Sequence, residues 1–129
     1  MKILLMFSVV TAACFAWTNN EPHPGRQVYD DYCLSCHQAD GRGVPGMNPP
    51  LVKTDWVLGD KTRLINVILK GLDEPIEING ESYQNVMPAH DFLTDQQVAD
   101  VLTYVRASFG NNAEPVTTEA VTKVRAAKK

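Results

Sequence analysis

Cys33-Leu34-Ser35-Cys36-His37 decides how the rest of this 129-residue chain is read. Two thiols three residues apart, with an imidazole directly after the second, form the pattern of covalent c-type haem attachment. The chemistry explains the order. Each thiol adds across one haem vinyl group to give a thioether, and the adjacent imidazole is then held under the iron as its proximal ligand. Cys33 and Cys36 are therefore the expected covalent anchors of one haem c, and His37 an expected metal ligand. Rival readings of the thiols are weaker. A thioredoxin-like dithiol needs a preceding strand in a βαβ pattern, whereas Arg26-Gln27-Val28-Tyr29-Asp30-Asp31-Tyr32 reads as helical. A structural zinc site needs a second pair of Cys or His ligands, and the only other cysteine is Cys14. A simple Cys33–Cys36 disulfide is the remaining alternative.

Upstream, Lys2 is followed by an uncharged apolar run from Ile3 to Ala16. A basic start, an apolar stretch and small residues at its end read as a secretory signal. The run is shorter than the roughly 18 residues of a membrane span. Cleavage is expected after Ala16. Thr11-Ala12-Ala13-Cys14 also resembles a lipobox, which would end the signal at residue 13 and put a lipid tether on Cys14. An uncleaved anchor is the third reading. All three put the domain outside the cytoplasm, periplasmic in a bacterium, where haem of this kind is attached. Four segments follow: a signal over 1–16, a polar tether over 17–24, a haem domain over 25–110 and a basic tail over 111–129.

Charge agrees with a protein-facing surface. Residues 17–116 carry 7 basic and 14 acidic residues, while Lys123, Arg125, Lys128 and Lys129 face only Glu119 in 117–129. An acidic body excludes nucleic-acid binding, which needs a basic patch, and permits steering towards a basic partner. The tail reads as a solvated end or a short amphipathic helix.

Periodicity predicts an all-α domain of three to four helices. The first runs from about Gly25 into the motif, with Gly25, Tyr29 and Cys33 on one face. The second is capped by Asp60, carries Leu64, Ile65, Ile68 and Leu69 on its apolar stripe and stops at Gly71. The third opens on the capping box Thr94-Asp95-Gln96-Gln97, carries Val98, Val101, Leu102, Val105 and Phe109, and ends at Gly110. Between them, the stretches 40–50 and 72–91 are dense in glycine, proline and turn signals and read as irregular. Ile76 and Ile78 alternate with polar residues, which is weak evidence for a strand. Long loops normally count against a compact domain. Here they count for a buried haem that supplies the missing apolar centre.

The iron's second axial ligand has four candidates: Met47, Met87, His23 and His90. Met87-Pro88 is favoured because it lies between the second and third helices, where a loop can cross to the opposite haem face. A thioether favours reduced iron. Met47 is too close to His37 to reach that face and reads as a loop residue near the haem edge. His90 is the runner-up, otherwise an exposed loop residue like His23. A ligating imidazole normally donates its other N–H to a carbonyl, and Pro49 offers one, with Leu51 then pointing into the pocket.

These features together resemble the class I cytochrome c family across residues 24–110. The resemblance rests on Gly25-x3-Tyr29-x3-Cys33-x2-Cys36-His37, Pro49-Pro50-Leu51, Tyr83-x3-Met87-Pro88 and Leu102-x-Tyr104-Val105. It implies a cytochrome c fold whose first and last helices cross at a glycine and an aromatic pair, matched by Gly25, Tyr29 and Tyr104. It also implies that Tyr83 is an aromatic neighbour of the methionine ligand and that Trp56 is a pocket residue or propionate hydrogen-bond donor. Residues 64–106 are similar to small cytochrome modules serving bacterial dehydrogenases and copper nitrite reductases. The implied role is one-electron transfer with a dehydrogenase, reductase or oxidase partner, as a monomer or a subunit of a complex. The alternatives are a resident haem c subunit of such a complex, or an open-site peroxidase or gas sensor. The chain lacks the lysine-rich front face of mitochondrial shuttle cytochromes.

Overall fold

Helix α1 (Pro24–Tyr32) starts one residue before the expected Gly25, because His23 caps it: the ring Nδ1 accepts from the Gly25 N–H at 3.1 Å. Proline at the first helical position needs no hydrogen-bond partner for its nitrogen. The computed structural model describes residues 22–127, so the expected signal, Cys14 and most of the tether lie outside the described residues. A turn at Cys33 leads into the short α2 (Leu34–His37).

Helix α1 crosses α5 (Asp95–Ala107) at Gly25, where any side chain would collide with the Asp100 carbonyl and come within 2.8 Å of Tyr104 Cβ. The crossing is closed by aromatic rings, with Tyr29 5.5 Å from Tyr104 and 5.4 Å from Phe109. Such tilted pairs add about 0.5–1.5 kcal/mol each beyond burial.

Helix α4 (Lys61–Lys70) has the expected bounds, with Asp60 accepting from the Thr62 N–H at 2.8 Å and Gly71 ending it at φ 71°. Its stripe Leu64, Ile65, Ile68 and Leu69 is buried. Before it lies α3 (Asp55–Leu58), unforeseen from periodicity because four residues show none; Thr54 Oγ1 caps it by accepting from the Val57 N–H. The stretch 72–91 is not wholly irregular. Strands β1 (Ile76–Ile78) and β2 (Glu81–Tyr83) pair antiparallel, with Ile76 opposite Tyr83. Asn79 and Gly80, at φ 53° and 79°, make the two-residue turn whose twist matches a hairpin.

The capping box of α5 is present in both directions, Thr94 with Gln97. The helix stops at Ala107, short of the expected Phe109, because Phe109 takes φ 58° and its ring packs against Tyr29 and Tyr104. Among the described residues, to 127, the basic tail is not a solvated end. Residues 118–126 form α6 (Thr118–Ala126), which packs on α4 and α5 with Val121 fully buried. The core thus joins α1, α4, α5 and α6, and burying each of Ile65, Leu69, Val98 and Val101 stabilises it by about 1.5–3 kcal/mol. The fold is helix-rich with one small sheet, and no described helix is long and apolar enough to cross a membrane.

Candidate haem site

His37 ends α2 with its side chain buried and its Nδ1 3.0 Å from the Pro49 carbonyl. A carbonyl can only accept, so Nδ1 carries the proton and the lone pair lies on Nε2. Burial holds the imidazole below its ordinary pKa, against the opposing pull of the Pro49 hydrogen bond and with a smaller lowering from His90. The ring is therefore neutral at pH 7, as a metal ligand must be.

The loop 38–54 sets the Pro49 carbonyl in place. Gly43 donates to the His37 carbonyl at 3.0 Å, and at φ 65° it lies so close to Pro49 that a Cβ would come within 2.6 Å of that carbonyl oxygen. Leu51 N–H donates to Gly41 at 2.7 Å, while Asn111 holds the Leu51 carbonyl and the Lys53 N–H at 2.9 and 2.7 Å. Tyr29 Oη donates to the Gln38 carbonyl at 2.6 Å, which ties α1 to the end of the motif.

Met87 is held by a different set of contacts. Its backbone exchanges two hydrogen bonds with Leu72, at 2.8 and 2.9 Å. Gly71, at φ 71°, lies under this loop, where a Cβ would meet the Met87 carbonyl and approach Ala89 N at 2.8 Å. His90 N–H donates to Ile68 at 2.8 Å, and Asn85 N–H to Met47 at 3.2 Å. Met47 itself is half-exposed, as a residue near an edge would be. His90 is not the expected exposed loop residue: it is 9% exposed, faces Tyr32 and Phe92, and its buried Nδ1 has no partner. His23 is half-buried as the cap of α1.

Two adjoining cavities separate the His37 and Met87 sides. They enclose about 770 and 640 Å³ of empty space, part of it open to solvent, and share Cys33, His37, Pro49, Leu72, Ile76 and Met87 as walls. Cys36, Tyr83 and His90 line only the outer one; Leu51 and Trp56 line only the inner one, which reaches the core at Val101 and Leu102. All eight residues singled out from the sequence therefore meet at one place. Gly43, Gly71, Leu72 and Asn111 were missed. The two glycines carried only a turn or stop signal, and Leu72 and Asn111 carried none. Arg63 was also missed: its guanidinium stacks 4.6 Å from the Trp56 ring centroid, and its buried Nε has no partner.

The residues fit a haem. An apolar slot is lined by two free thiols, a neutral imidazole with Nε2 unprotonated and a thioether, and it borders an orphaned imidazole nitrogen. The fit to other thiol chemistry is poor. Burial, and then the neighbouring Cys36, push the Cys33 thiol up to about 11, the reverse of a reactive dithiol. Among the described residues no group of three or more His, Cys, Asp or Glu could hold a bare metal ion.

Comparison with known proteins identifies the family. The family model described as cytochrome c matches residues 23–108. Cytochrome c-552 of Thermus thermophilus is 36% identical over 113 residues, covering 81% of this chain and 86% of that protein. The alcohol dehydrogenase (quinone) cytochrome c subunit of Gluconacetobacter polyoxogenes is 39% identical over 118 residues, 89% of this chain but 25% of the subunit. The gluconate 2-dehydrogenase cytochrome c subunit of Pantoea cypripedii is 35% identical over 105 residues, 79% of this chain and 24% of the subunit.

Proposed function

The chain belongs to the cytochrome c family as a monohaem electron carrier with covalently bound haem c, and on that premise we propose that His37 and Met87 are the axial ligands of its iron and that Cys33 and Cys36 form the thioethers. Haem held there supplies a one-electron iron couple. The observation that carries the reading is the Nδ1–Pro49 hydrogen bond, which fixes the tautomer of His37 and leaves Nε2 to bind metal. Met87 is preferred to His90 because it lines both cavities alongside His37, while His90 lines only the outer one. Pro49 orients the proximal ring, Leu51 and Trp56 close the inner wall, and Tyr83 covers the outer one.

With His37 and Met87 both holding the iron, no substrate would reach it, and the protein would act as a carrier rather than an enzyme. Its partners are redox proteins. The relatives that are dehydrogenase subunits support a dehydrogenase as one such partner. The signal read in residues 1–16 supports a periplasmic location, soluble or lipid-anchored at Cys14. Helix α6 buries its apolar side on this domain, which argues against a free arm for permanent docking. A redox titration of the holoprotein tests the reading: one reversible one-electron couple is expected, together with the long-wavelength absorption band of an iron–thioether bond and slow carbon monoxide binding. Rapid carbon monoxide binding to the native reduced protein would sink it in favour of an open site.

A further inference from the structure

The family match ends at residue 108, yet the chain continues into an ordered segment that returns to the Met87 loop. Resting on the assignment of Met87 as ligand, we propose that this C-terminal segment clamps the Met87 loop, with Arg125 as the positioning residue that controls how firmly the thioether is presented to the iron.

The contacts are specific. Beyond Met87 the loop runs through His90 and Leu93 to the α5 cap at Thr94. Arg125 spans its second half with all three guanidinium nitrogens: Nη1 donates to the Asp91 carbonyl at 2.9 Å, Nη2 to the Leu93 carbonyl at 2.7 Å and Nε to Asp95 Oδ1 at 2.6 Å. A planar fork can meet three acceptors at once; a lysine ammonium on its flexible stem cannot hold this geometry. The other Asp95 oxygen accepts from Thr122 Oγ1 at 2.6 Å, one turn before Arg125. Helix α6 is itself fixed, by the fully buried Val121 and by Val116, whose N–H and carbonyl both bond Thr103 Oγ1. The clamp is therefore mounted on the rigid core and reaches a loop that is otherwise held by Leu72, Ile68 and Met47.

Without Arg125, two loop carbonyls and one carboxylate lose a charged donor. The loop then opens more often, and an external ligand competes more easily for the iron face that Met87 covers. The test uses oxidised holoprotein and imidazole as the competing ligand. Arg125→Ala is expected to raise the apparent imidazole affinity about tenfold, as three charge-assisted contacts warrant. In a denaturant titration it should also lose the long-wavelength thioether band well before the helical circular dichroism signal, a gap smaller in the native protein. Arg125→Lys should recover only part of the effect. If Arg125→Ala does not accumulate as holoprotein, Asp95→Asn gives the same readout with a smaller rise, about threefold. An unchanged imidazole affinity overturns the clamp, as does loss of band and helix signal in step, which marks a merely structural tail. Absence of the thioether band from the native protein would instead overturn the ligand assignment beneath it.

Discussion

The two walls of the haem slot are built differently. On the His37 wall, the proposed ligand and its hydrogen-bond partner are neighbours in sequence. Pro49 lies 12 residues from His37, and the loop joining them is closed by Gly43, Gly41 and a short bridge between Val44 and Asn48. On the Met87 wall each restraint comes from elsewhere: Ile68 in the last turn of α4 and Leu72 just after it, Met47 in the proximal loop, Arg125 on α6. The proximal loop also takes a distant restraint from Asn111, but a wall made mostly of local contacts closes at lower entropic cost than one made of distant contacts, which requires the rest of the fold first. The Met87 wall is thus the part expected to open at lowest free energy, before global unfolding.

Replacing each proposed ligand breaks this comparison most directly. His37→Ala removes the group on which the proximal wall converges, and loss of the reversible couple and of most native circular dichroism is expected. Met87→Ala should leave the fold in place, open the iron to carbon monoxide and lower the reduction potential by a sizeable part of the ~0.8 V that axial ligands span. Equal collapse of both variants would show that the walls are not separable.

Two glycines sharpen the contrast. Gly43 presses on Pro49 and Gly71 on Met87, both at positive φ. Alanine at either costs about 1–3 kcal/mol of stability by denaturant unfolding. Only Gly71→Ala should weaken the thioether band, and only Gly43→Ala should act through the proximal imidazole. The smallest effect concerns acid. Thr122 and then Arg125 hold the Asp95 carboxyl below its ordinary value of 3.8. The folded protein binds that proton less readily than the unfolded chain, so the stabilisation is present at neutral pH and lost as pH falls through 3.8 towards the depressed value. Asp95→Asn should flatten this limb in acid titrations of stability.

Legibility followed the same division. Helix α4 was readable to its end residues because Asp60, the 3.6-residue stripe and Gly71 lie within one element. The hairpin at Asn79-Gly80 was underread, since two alternating isoleucines do not distinguish a strand until Tyr83 pairs with Ile76. His90 was misread as exposed because its burial depends on Tyr32 and Phe92, outside any local pattern.

The amino-acid order by itself determined where the proposed covalent anchors lie, since Cys33, Cys36 and His37 are near neighbours in sequence and a motif that short holds them together. It also determined the main helices, whose periods and caps are local. Only the tertiary structure decided what faces that haem from the other side. The Leu72–Met87 bridge, the Gly25 crossing and the Arg125 fork join residues far apart in the chain, and a packed core brings them together where no spacing in the sequence records it.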